Sequence, residues 1–396
     1  MDIYWYWPYL RQEELALAGG VLRKGDHLAV HCTDRPLEPI SSSLEGCEVL
    51  PALPGVDERS TEGSISWGVS RAATYIGRAR ARHSVLKEET FDVAHVVYLN
   101  PFVDWLALRR LARRVPLVST VHDVTPHQRR MPMRVERSIL ALQYANAGTI
   151  VVHHEWVGER LSSEFDVDPA RINYIPLPVL PPPLPINEQG VDGEGVDGEG
   201  VDGEGVDGEG VNDGVPEILF FGTLRRNKGV EVLLDAVRLL PTELEFRLVI
   251  AGRGFAEVEQ TVRDGASRDK RIVAEIGYAT AERKAALYAR CSVNVLPYTS
   301  FESQSAVLQD AYANSVPLIV SDVGALGSTV RSEGTGWVVP PSDANALAEA
   351  ILESLGDETA AKQAGANMAK VASQRTPALV GAALRRLYEE VAGAPQ

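Results

Sequence analysis

Ile218-Leu219-Phe220-Phe221-Gly222-Thr223-Leu224-Arg225-Arg226-Asn227-Lys228-Gly229 is the stretch that decides the fold. Ile218 to Phe221 is a short apolar run of the kind that forms a strand covered on both faces. A small-residue turn follows it, and then Val230, Val232, Leu233, Ala236 and Leu239 recur at helical spacing. Arg225 and Lys228 stand in the turn, where the amino end of a helix already attracts negative charge. Farther on, Phe301-Glu302-Ser303-Gln304-Ser305-Ala306-Val307-Leu308-Gln309-Asp310 sets two carboxylates eight residues apart. Glu302 is expected in the loop after a strand over Val293 to Leu296, and Asp310 about two turns into the next helix, both facing one crevice. Cations on one side and carboxylates on the other suit phosphates and sugar hydroxyls.

The same alternation of short apolar runs with helical patterns extends outward from this stretch. After residue 215 it predicts strands over Ile218 to Phe221, Arg247 to Ala251, Ile272 to Ala274, Val293 to Leu296 and Leu318 to Ser321. Before residue 175 it predicts strands over Ile3 to Tyr6, Leu28 to Cys32, Val93 to Val97, Leu117 to Val121 and Thr149 to Val152. Helices are expected over Glu13 to Leu22, Trp67 to Arg82, Val103 to Ala112 and Val135 to Ala147. Alternating strands and helices imply parallel sheets covered by helices, so the class is α/β with two doubly wound, Rossmann-like domains. The expected division is 1–175, a linker over 176–215, a second domain over 216–375 and a final helix over 376–396 packing back on the first domain. In that last helix Thr376 can cap and Pro377 takes the first position, with Leu379, Val380, Ala383, Leu384, Leu387, Tyr388 and Val391 on one face.

A chain of 396 residues exceeds one ordinary core, and 45% hydrophobic with 23% charged residues leaves ample material for two. No apolar run reaches the roughly 18 to 20 residues needed to cross a bilayer. The start, MDIYWYWPYL, has neither a basic leader nor a small-residue cleavage site, so a cytoplasmic protein is expected. Cys32, Cys47 and Cys291 are widely spaced and odd in number, which suits reduced, partly buried thiols. Four copies of Gly-Val-Asp-Gly-Glu between Gly190 and Glu209 hold eight carboxylates and no cation. Without them the net charge of −15 becomes −7, an ordinary balance that argues against nucleic-acid binding. The repeat lacks the apolar material to offset its ordering entropy and is expected to be a disordered linker. Its five-residue period departs from the nonapeptide of calcium-binding repeats.

The second half of the chain, from about Glu217 to Leu355, resembles the retaining family-4 glycosyltransferases of the GT-B fold. The resemblance rests on Gly222-x-x-Arg225-x-x-Lys228-Gly229, on Leu248-Val249-Ile250-Ala251-Gly252-Arg253-Gly254 and on Glu302-x7-Asp310. It continues through Pro317-Leu318-Ile319-Val320-Ser321-Asp322-Val323-Gly324 and Gly336-Trp337-Val338-Val339-Pro340-Pro341. What it implies is transfer of a sugar from a nucleotide-sugar donor to a hydroxyl acceptor, with retention and without a metal or other cofactor. Arg225 and Lys228 would grip the diphosphate beside Gly222 and Gly252, Glu302 would meet the sugar, and Asp310 would meet the ribose. Ser305 and Ala306 would point backbone N–H groups at phosphate oxygens. In the first domain Thr120-Val121-His122-Asp123 resembles the family step whose histidine contacts the transferred sugar.

The chain departs from that pattern in two places. Asp310 stands where the family usually has glutamate, and Trp5-Tyr6-Trp7-Pro8-Tyr9-Leu10-Arg11-Gln12 replaces a glycine-rich loop after the first strand. Gly19-Gly20 falls too late, inside a helical pattern. His153 and His154 suit the end of a strand and the start of a helix better than a metal site. Eight arginines between Arg109 and Arg137 suit a solvated helix surface, and a face resting on an anionic membrane is the alternative. Two other functions stay open on residues alone. A GT-B sugar-nucleotide epimerase would need acid and base carboxylates in the cleft, and a catalytically inactive relative would bind a nucleotide sugar or scaffold without turnover.

Overall fold

A computed structural model describes residues 1–7, 12–32, 44–50, parts of 73–87, 90–97, 112–125, 133–182, 214–301 and 305–393. The repeat, four of the eight arginines between Arg109 and Arg137, most of the expected helices over Trp67 to Arg82 and Val103 to Ala112, the loop from Pro8 to Arg11 and Glu302 therefore lie outside the described residues.

Two parallel sheets carry the fold. The first runs through β1 (Asp2–Tyr6), β2 (His27–His31), β3 (Cys47–Val49), β4 (Val93–Val97), β5 (Leu117–Thr120), β6 (Thr149–Val152) and β7 (Ile172–Tyr174). Their spatial order is β3-β2-β1-β4-β5-β6-β7. The second comprises β8 (Glu217–Phe221), β9 (Arg247–Gly252), β10 (Ile272–Ile276), β11 (Cys291–Leu296), β12 (Leu318–Ser321) and β13 (Gly336–Val339), in the order β10-β9-β8-β11-β12-β13. Every residue of β4 and of β12 is buried, as expected of strands covered on both faces. In each sheet the strand order reverses beside the first strand, at β1/β4 and at β8/β11. Ligands of open α/β sheets bind in the crevice outside the carboxyl ends of the strands at such a point.

β3, β7 and β13 were not anticipated as strands. The first two are three residues long and only partly buried, so they lack the apolar run that marks their neighbours. Leu239 and Leu379, expected on buried faces, are 53% exposed. The helix over Val230–Leu239 instead buries Val230, Leu233, Leu234, Ala236 and Val237.

The final helix, Pro377–Gly393, opens with Leu379 N–H donating to the Thr376 hydroxyl at 3.3 Å. It returns to the first sheet, where Val380, Leu384, Leu387 and Tyr388 share one core with Ile3, Trp5, Leu28 and Val93. It crosses the Gln12–Val21 helix where Gly381 meets Gly20, with backbone so close that a Cβ on Gly381 would lie 2.6 Å from Gly20 Cα. Gly20 therefore serves a helix crossing. Arg385 makes an ion pair with Asp26 beneath that crossing, both side chains being less than 10% exposed. At the domain crossing, Val179 N–H donates to the Arg375 carbonyl at 2.7 Å. Among the described residues no helix is long and apolar enough to cross a membrane.

Candidate functional site

The turn after β8 is built from backbone that only glycine allows. Gly222 has φ +125 and Gly252, at the end of neighbouring β9, has φ +147. A Cβ on Gly252 would lie 1.9 Å from the Gly222 carbonyl oxygen, so the two strand ends touch backbone to backbone. A Cβ on Gly222 would meet the Val307 side chain at 3.3 Å, so this turn faces the first turn of the Ala306–Asn314 helix. Leu224 extends the contact by a parallel bridge to Gly254. Arg226 to Lys228 form a single tight turn, and Gly229, with φ +70, releases the chain into the Val230–Leu239 helix.

Arg225 is exposed beside this turn, whereas Lys228 is largely covered. The Lys228 ammonium lies 3.7 Å above the Tyr298 ring and 4.5 Å from the Phe301 ring. Burial and the neighbouring Arg225 charge pull its pKa from the usual 10.5 to about 8. Arg226 turns away and forms a two-bond ion pair with Glu257 at 2.6 and 2.7 Å. Of the three cations in the turn, Arg225 is exposed, Lys228 is held against two rings and Arg226 is tied to Glu257.

Ser305 precedes the Ala306–Asn314 helix without capping it through its side chain. Its buried hydroxyl lies 3.0 Å from the Tyr298 hydroxyl instead. Asp310 lies just over one turn into that helix, nearer its start than the two turns expected, and pairs with Lys284 Nζ at 2.7 Å. Lys284 comes from the Ala281–Arg290 helix, and nothing in its local sequence signals this partnership.

His122 stands at the end of β5 in the other domain, partly buried, with its ring centroid 4.7 Å from that of His153 at the end of β6. Burial holds its pKa well below 6.5, and the adjacent His153 and His95 add to the effect, so the ring is neutral at physiological pH. His153 donates Nδ1–H to the Ile175 carbonyl at 2.7 Å, and His154 caps the Glu155–Phe165 helix by accepting from Trp156 N–H. Behind His122 runs a buried polar chain. Trp5 Nε1–H donates to the Tyr388 hydroxyl at 2.9 Å, which donates to His95 Nδ1 at 2.5 Å. His95 Nε2–H then donates to Thr120 Oγ1 at 2.7 Å. Burial brings the His95 pKa to about 3, which makes this neutral donor and acceptor pattern the stable one. Trp5 and Trp7 are buried in this layer and Tyr6 on the other face of β1, so all three are packing residues.

Gly222, Gly252, Arg225, Lys228, Ser305 and Ala306 thus gather at the β8/β11 switch point, with Asp310 one turn further along the helix. His122 belongs to the opposite domain, which touches the second where the Glu155–Phe165 helix packs on the Gly324–Glu333 helix. Among the described residues no three His, Cys, Asp or Glu side chains gather into a metal-ligand set. The three cysteines are free thiols, and burial raises the pKa of Cys47 to about 11 and that of Cys291 further.

Two parallel α/β domains, joined by a crossing segment and by a final helix that returns to the first, make the GT-B architecture of glycosyltransferases. A model of the glycosyl transferases group 1 family matches residues 215–357, and one of glycosyltransferase family 4 matches residues 15–180. The chain belongs to the family-4 glycosyltransferases. It is 31% identical over 183 residues to a phosphatidyl-myo-inositol mannosyltransferase of Mycobacterium leprae, an alignment covering 44% of this chain and 46% of that protein. Alignments with the first such relatives span less than half of their length. A D-inositol 3-phosphate glycosyltransferase of Xylanimonas cellulosilytica is 26% identical over 391 residues, covering 91% of this chain and 86% of the relative. Among solved structures, Anabaena HepE in complex with UDP-glucose superposes with a TM-score of 0.65 at 14% identity, covering 98% of both chains.

Proposed function

We propose that this chain is a retaining glycosyltransferase that moves a sugar from a nucleotide-sugar donor to a hydroxyl acceptor, without a metal, on the cytoplasmic side of a cell. The observation that carries this reading is the cradle at β8/β11, where the turn of two backbone-touching glycines meets the start of a helix and also holds exposed Arg225 and ring-held Lys228. Such a cradle suits a diphosphate. The bound UDP-glucose of the HepE structure is consistent with the same class of donor.

In this mechanism the diphosphate lies along Gly222 and the amino end of the Ala306–Asn314 helix. Arg225 and Lys228 neutralise the charge that grows on the departing diphosphate, and each such bond contributes most in the transition state. Neutral His122 orients the sugar by hydrogen bonding, and Glu302 meets the sugar from the second domain. Asp310 meets the ribose while sharing its second oxygen with Lys284. The acceptor hydroxyl attacks from the face the diphosphate leaves, so the anomeric configuration is kept. Closure of the two domains excludes water and limits donor hydrolysis.

The ammonium form of Lys228 is the one that binds phosphate, so affinity for a nucleoside diphosphate is flat below its pKa of about 8 and falls above it. Between pH 8 and 9.5 the loss reaches roughly tenfold, with a proton taken up on binding. Calorimetry in two buffers of different ionisation enthalpy measures both. Incubation with UDP-, GDP-, ADP- and dTDP-sugars in EDTA, with NMR of the product, tests the reaction itself. The product is expected to carry the anomeric configuration of the donor sugar, and inversion or a requirement for added metal would overturn the mechanism.

A further inference from the structure

The segment Pro297-Tyr298-Thr299-Ser300-Phe301 leaves β11 and is tied along its length to the phosphate turn. Gly229 packs so tightly on it that a Cβ would lie 1.8 Å from the Pro297 carbonyl oxygen. Thr299 N–H donates to the Asn227 carbonyl at 3.0 Å, and Asn227 Nδ2–H donates to the Ser300 carbonyl at 3.2 Å. Tyr298 is 2% exposed and Ser305 is 3% exposed. The Tyr298 and Phe301 rings meet edge on, 5.2 Å apart at 68°, and both approach Lys228 Nζ.

This arrangement solves a conflict. A lysine that must receive a phosphate needs to be held, yet a carboxylate partner would both compete for the ammonium and repel the incoming anion. Among the described residues no carboxylate pairs with Lys228. The face of an aromatic ring attracts a cation through its quadrupole and carries no net charge. Burial lifts the Tyr298 hydroxyl to about 12, so that ring stays neutral.

Resting on the phosphate reading above, we propose that Tyr298 is a positioning residue of the donor site. Its ring face holds the Lys228 ammonium and its hydroxyl holds Ser305, so one side chain sets the spacing between the cation and the helix that frame the diphosphate. Phe301 completes the ring contact. The same residue links β11 to both anion-binding elements.

A double-mutant cycle on the full chain tests this, reading the affinity of UDP and of inorganic pyrophosphate by calorimetry in EDTA. Tyr298→Leu is expected to weaken binding of the probe about tenfold, and Tyr298→Phe, which keeps the ring, about threefold or less. In a Lys228→Met background Tyr298→Leu is expected to add no more than the roughly threefold that loss of the Ser305 contact costs, because the ring contact to the ammonium is already gone. Equal losses in both backgrounds would show that Tyr298 acts through general packing and would overturn the proposal. Should Tyr298→Leu fail to fold, Phe301→Leu reads the same ring contact by the same cycle, and additivity there overturns the proposal equally. Wild-type affinity in Lys228→Met, or no binding of either probe to the wild-type chain, would instead remove the phosphate reading on which the proposal rests.

Discussion

Lys228→Ala is expected to weaken nucleoside diphosphate binding about 10- to 100-fold, the loss of one charge-assisted bond of roughly 1.5 to 3 kcal/mol. Turnover falls further, by roughly 10³-fold, because charge grows on the diphosphate as the sugar departs and the lysine acts most strongly at that point. The fold is expected to tolerate the change. Lys228 holds two rings in the free protein, a contact of about 0.5 to 2 kcal/mol, and keeping an ammonium largely covered costs part of that gain. A thermal melt and a donor-hydrolysis assay on the same preparation separate the two effects. Unchanged turnover in a folded variant would contradict the assignment.

Gly252→Ala is the second large effect, and it acts on structure and site together. The new methyl would sit 1.9 Å from the Gly222 carbonyl oxygen, and the three nearest atoms are all Gly222 backbone, with no flexible side chain to yield. The residue also holds φ +147, where an L side chain is strained. Relief requires parting the ends of β8 and β9, where Gly222 N–H donates to the Ala251 carbonyl, and disturbs the end of β10, where Gly277 N–H donates to the Gly252 carbonyl, each at 3.0 Å. A loss of about 3 kcal/mol is expected, with donor binding abolished because the turn that receives the diphosphate moves. Gly356→Ala is the control, since a methyl there meets nothing within 4 Å. It is expected to leave melting and binding unchanged; the same loss in both variants would mean that the Gly252 contact is not what matters.

The legible parts of this fold are those whose physics is local. Val93–Val97, Thr149–Val152 and Leu318–Ser321 form strands with the bounds their apolar runs imply, because a strand covered on both faces needs an unbroken run. The glycine turn after β8 was legible for a similar reason: glycines at a strand-to-helix junction mark backbone that no other residue allows. The rest depended on partners distant in sequence. Gly20 meets Gly381, Tyr388 meets His95 and Trp5, and Lys284 meets Asp310, each across a separation that no local pattern encodes. Tyr298 was silent because an aromatic after a strand ordinarily signals packing. Its role emerges only once Lys228 and Ser305 are seen on either side of it.

Calorimetric titration of the wild-type chain with UDP, GDP, ADP and dTDP in EDTA tests the central claim most directly. Saturable binding of one nucleoside diphosphate, weakened about 10- to 100-fold in Lys228→Ala and weakened as the pH rises past about 8, is the predicted result and names the donor base. Binding of none of them, or binding that Lys228→Ala leaves intact, would contradict a diphosphate cradle at β8/β11.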